Sequence, residues 1–73
     1  MHNAKCVDDA EPFIVIFKWL ISEFGSKKHA QDKIGIGRST VDRMLHKTNP
    51  ILSIVCAQRI MDAYRIAKRY ANA

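Results

Sequence analysis

Residues 29–45 read HAQDKIGIGRSTVDRML, and the reading of Gly35 and Gly37 inside this stretch decides the fold. Glycine in a helix interior costs roughly 0.5–1 kcal/mol relative to alanine, so two of them one residue apart argue for a break in the helix. Gly35 follows KKHAQDKI where a left-handed residue closes a helix, and Gly37 precedes RSTVDRMLHK where a non-helical residue opens the next. Ile36 between them is then an apolar plug turned into the angle of the two helices. The inward sides are Ala30 and Ile34 on the first helix, residues 27–34, and Val41, Met44 and Leu45 on the second, residues 38–47. Two helices about a turn of three to four residues make a helix-turn-helix.

Working outward, Gly25 stops an earlier helix and Ser26 caps the one that starts at residue 27. Asp8, Asp9 and Glu11 with Pro12 form a helix start, because acids suit the amino terminus and proline tolerates the first turn. Phe13, Phe17, Leu20, Ile21 and Phe24 then recur at helical spacing and define a buried face over residues 12–24. On the other side, Asn49 caps and Pro50 opens a helix over residues 50–70. Its expected core stripe holds Leu52, Val55, Cys56, Ile60, Ala63, Ile66, Ala67 and Tyr70, and Arg59 falls inside that stripe, so it snorkels or the helix bends there. The expected architecture is all-α, a compact four- to five-helix domain over residues 1–73, with 1–8 and 71–73 flexible.

The chain has 73 residues, and one core of that size rarely supplies more than about 3–5 kcal/mol, which calls for help from a partner. Charge is divided unevenly: net −2 over residues 1–26 and net +7 over residues 27–73. A basic surface on a near-neutral scaffold points to nucleic acid ahead of an anionic membrane. FIVIFKWLI, the most apolar run, is too short to span a bilayer and lacks the flanks of a secretory signal. Cys6 and Cys56 therefore read as cytosolic thiols, and His2, His29 and His46 have no metal-ligand spacing with them.

HAQDKIGIGRSTVDRML resembles the helix-turn-helix of the lambda repressor and Cro family of phage and bacterial regulators. Gly35, Ile36 and Val41 match the family's glycine, turn apolar residue and core Val or Ile, and Ala30, Ile34, Met44 and Leu45 match its supporting positions. One position departs from the pattern: the residue four before the glycine, small in the family, is Gln31. GIGRST also looks like the end of a phosphate-binding loop, but Asp32 stands where that motif needs glycine, and no strand precedes it.

The resemblance implies double-stranded DNA as partner, with residues 38–47 as the recognition helix. Ser39, Asp42, Arg43 and His46 share its outward face, and Arg38 lies at the amino-terminal end that enters deepest. By that analogy Arg38, Ser39 and Arg43 contact bases, with Arg38 or Arg43 on guanine. His46 touches a base or phosphate or stays a plain exposed histidine, and Asp42 accepts from cytosine or pairs with Arg38 at i, i+4. Lys27 and Lys28 sit in a first helical turn, where the dipole disfavours cations unless an anion is present. With Thr40 and Lys47 they are the expected phosphate contacts.

Two apolar sets remain: Val15 with Trp19, and Ile54, Ala57, Met61 and Tyr64. The second is the expected homodimer seam, which would set two recognition helices on half-sites about one DNA turn apart. No catalytic pair, carboxylate dyad or metal set is present, so neither an enzyme nor a cofactor or small-molecule ligand is expected. The resemblance implies a cytoplasmic, sequence-specific transcriptional regulator, a phage or mobile-element repressor on a palindromic operator. Two other uses of the same fold stay open: a protein-binding antitoxin or adaptor, and a DNA-positioning module for recombination or packaging.

Overall fold

The computed structural model describes residues 6–48 and 50–71. They form four helices and no strand beyond an isolated bridge: α1 Glu11–Phe24, α2 Lys27–Ile34, α3 Arg38–His46 and α4 Ile54–Ala71. None is long and apolar enough to cross a membrane.

Each helix boundary has a local cause. The Asp9 carboxylate accepts from the Glu11 N–H at 3.1 Å, and Pro12 falls where its missing N–H costs nothing. Gly25, at φ 93°, turns its N–H back to the Ile21 carbonyl and ends α1. Ser26 is extended, and its hydroxyl accepts from the His29 N–H at 3.1 Å to cap α2. The fourth helix starts later than its sequence suggests. Pro50, Ile51 and Leu52 are non-helical, the Ser53 hydroxyl caps α4 through the Cys56 N–H at 3.1 Å, and Asn49 lies outside the described residues. The expected flexible ends lie largely outside them too, but Cys6–Asp8 are described and Val7 is tied down: it donates to the Leu52 carbonyl at 2.9 Å beside a Cys6–Ser53 bridge. That tie uses the backbone that a helix from residue 50 would have consumed.

Phe17, Leu20, Val41, Leu52 and Ile60 are fully buried, with Ile14, Ala30, Ile34, Ile36, Met44 and Ala57 completing the core around them. On α1 the buried centre is Ile14, Phe17 and Leu20, while Phe13, Ile21 and Phe24 pack at its margin. The α4 stripe is corrected. Val55, Ile66 and Tyr70, expected inside, are 64%, 56% and 77% exposed, whereas Ala57 is buried and Tyr64 half-buried. The inward side of α4 carries Tyr64, whose ring meets that of Trp19 edge-on, centroids 5.4 Å apart, and with this side packed on α1 Val55 and Ile66 face outward. The expected dimer seam is thereby consumed within the subunit: Ala57 faces the core, Tyr64 faces Trp19, Met61 is half-buried, and only Ile54 is exposed.

Candidate nucleic-acid interface

The turn between α2 and α3 has the geometry its glycines require. Gly35 adopts φ 81°, ψ 37° and donates its N–H to the Gln31 carbonyl at 2.9 Å. Ile36 is buried at 7% exposure, and Gly37, at φ −76°, ψ 154°, is the extended residue before α3. A third element holds this turn. Arg59 of α4 donates from Nη1 to the Gly35 carbonyl at 2.8 Å. A Cβ on Gly35 would stand 2.9 Å from that nitrogen, so the glycine gives both the left-handed backbone and room for the guanidinium. Arg59 thus does more than snorkel; it ties α4 to a carbonyl that the end of α2 leaves free.

Helix α3 rests on Val41 and Met44, both buried, with Leu45 at the core margin. Ser39, Arg43 and His46 stand on the opposite side and are exposed, as are Arg38 and Lys47; Asp42 and Thr40 are half-buried. Lys27 and Lys28 are exposed in the first turn of α2. A notch of about 270 Å³ between the two helices brings together Lys27, Lys28, Gln31, Arg38 and Asp42, three cations against one carboxylate. Arg38 and Asp42 share that notch but form no ion pair; among the described residues the one pair is Arg65–Asp62, at 3.9 Å. Arg38 is left with its donors toward solvent.

The helix starts differ in charge. α1 opens with Glu11, which suits the positive end of its dipole. α2 and α3 open with lysines and an arginine and have no acid in the first turn. The cations of both helix starts, Lys27, Lys28 and Arg38, therefore meet at one notch, an arrangement suited to an anion. Lys27, Lys28 and Arg38 are gathered at the notch, whereas Ser39, Arg43 and His46 lie along the free face of α3, and Lys47 follows its last turn.

Two residues escape a sequence reading. Gln31 lines the notch half-buried, and the signal for it is its departure from the small residue usual at that position. Arg59 acts across 24 residues, and its only sequence signal is a cation interrupting an apolar stripe. No protein family model matches the chain, and no curated protein or solved structure shows significant similarity to it.

Proposed function

We propose that the chain is a sequence-specific, double-stranded DNA-binding regulator of the lambda repressor and Cro type. In this reading it is a cytoplasmic repressor of phage or mobile-element origin that acts as a homodimer on a palindromic operator. The observation that carries it is the free polar face of α3 next to two cationic helix starts, held by a glycine turn. An α-helix fits the major groove, where each base pair shows a distinct donor and acceptor pattern. Arg38, Ser39, Arg43 and His46 are the groups with reach to base edges. Lys27, Lys28, Thr40 and Lys47 flank them at the level of the phosphates.

The two sets differ in what they do to binding. Arg43→Ala is expected to cost about 1–3 kcal/mol and relax preference at one base position. Lys28→Ala weakens all duplexes alike and flattens the salt dependence by about one unit of slope. Selection of duplexes from a random pool, followed by salt-titrated binding of both variants, checks this. A chain that prefers no duplex over another, or two variants that behave identically, ends the assignment.

A further inference from the structure

Asp42 is the only acid on α3, and it stands where a phosphate-binding surface gains nothing from one. It is half-buried in the notch with Lys27, Lys28, Gln31 and Arg38, one turn beyond Arg38 on the same helix. The i, i+4 spacing suits an ion pair with Arg38, yet the two form none. Among the described residues the Asp42 carboxylate has no hydrogen-bond partner either, and its oxygens keep contact with solvent. Asp62 on α4 shows the contrast: it accepts from Gln58 at 3.1 Å and lies 3.9 Å from Arg65. No contact within the chain accounts for Asp42.

A carboxylate at this place acts on DNA in two ways, with opposite signs. Among three cations it lowers the positive potential that a phosphate meets, and so weakens binding to every duplex. At a base edge it is an acceptor in need of a donor. In the major groove cytosine offers its N4 amino group alone, whereas guanine shows only acceptors, thymine an acceptor and a methyl group, and adenine an acceptor beside its donor. A carboxylate therefore gains a charge-assisted hydrogen bond from cytosine and meets an acceptor at each of the other bases. Arg38 has the converse chemistry, donors and no acceptor, which suits guanine. One helical turn separates the two residues by about 6 Å along the axis, and base pairs stack about 3.4 Å apart, so Arg38 and Asp42 reach base pairs no more than about two steps apart.

We infer that Asp42 is a specificity-determining residue of the α3 face: it selects a cytosine beside the base read by Arg38 and lowers affinity for every duplex that lacks one there. The inference rests on the reading of α3 as a recognition helix. A surface this cationic holds any DNA through its phosphates, and sequence preference is the ratio of the affinity for the site to that general affinity. Asp42 widens the ratio from both ends, adding a contact at the right base and a repulsion everywhere else.

Selection of duplexes from a random pool, run in parallel on the wild-type chain, Asp42→Asn and Asp42→Ala, tests the role. The wild-type pool is expected to converge on a site with a cytosine at one position, whose replacement lowers affinity about 5- to 100-fold. Asp42→Asn, whose carboxamide suits adenine, is expected to change that position alone from cytosine to adenine, and Asp42→Ala to accept any base there. Both variants bind a duplex without the site more tightly than the wild type does, with a salt dependence steeper by up to about one unit of slope. Their circular dichroism spectra match that of the wild type, because no contact within the chain is lost. A wild-type chain that selects no duplex overturns the regulator and this role together. A site on which all three chains agree base for base overturns the role of Asp42 alone and leaves the regulator standing. So do variants that bind duplexes without the site more weakly than the wild type, the result of an Asp42 that only holds α3 in shape.

Discussion

Helices α3 and α4 turn opposite chemistries to solvent. The nine residues of α3 place Val41 and Met44 inward and leave Ser39, Arg43 and His46 outward, an outer face with no apolar group on it. The eighteen residues of α4 bury Ala57 and Ile60 and leave Val55, Ile66 and Tyr70 outward. A polar cationic face remains hydrated until a polyanion meets it, while an apolar face is a standing cost in water until another surface covers it. The chain thus turns two chemically different faces outward, and Arg59 joins the helices that carry them through the Gly35 carbonyl.

The strongest way to break this division is to remove the anchor of one helix and spare the other. Ile60 is fully buried between α4 and the rest of the core, and Ile60→Ala is expected to cost about 2–5 kcal/mol. That matches the whole stability of about 3–5 kcal/mol expected for one core of this size, so the variant is largely unfolded at room temperature. Val41 is as deeply buried but anchors a shorter helix with fewer neighbours, and Val41→Ala loses about 2 kcal/mol. Urea unfolding followed by circular dichroism ranks the two. A Val41 variant less stable than the Ile60 variant would mean that α3, not α4, organises the core.

A smaller effect separates the two glycines that define the turn. Gly35→Ala must hold φ 81° with a side chain and push the Arg59 nitrogen from 2.9 Å, a cost of about 1–2 kcal/mol dominated by the backbone. Gly37 has ordinary dihedrals and open space around it, and its position before α3 favours a side-chain oxygen, so Gly37→Ser is neutral or stabilises by about 0.5 kcal/mol. Thermal melts that moved in the same direction for both would refute the distinct roles.

The turn was readable in the sequence and the faces of α4 were not, for a physical reason. Gly35, Ile36 and Gly37 answer to backbone sterics and capping, which depend on neighbours two to four residues away. On α4 two apolar stripes of similar strength overlap, and the one turned inward meets partners distant in sequence, such as Trp19 against Tyr64, forty-five positions apart. The helix start at Ile54 escaped for the same cause, since the Val7 bond to Leu52 that displaces it joins distant segments. At the candidate interface, the spacing on α3 placed Ser39, Arg43 and His46 together and Asp42 beside Arg38, but it carried no sign that Gln31 of α2 would share a notch with them.

The bond between the two faces is the weakest element and the most informative one to cut. Arg59→Ala removes a charged donor from the exposed Gly35 carbonyl, and because water can replace it the expected loss of stability is only about 0.5–1 kcal/mol. Its local consequence is larger than its global one. The Gly35 and Ile36 amides, which donate to the Gln31 carbonyl at 2.9 Å and 3.4 Å, are expected to exchange hydrogen faster in the variant, while amides of the α1–α4 core keep their protection relative to the global unfolding rate. Arg59→Lys keeps the charge but lacks the planar fork, and recovers part of that protection. Uniform acceleration across all four helices would make Arg59 an ordinary contributor to stability. Selective acceleration at the turn would show that α4 controls how firmly α3 is held, and therefore how accurately its polar face is presented.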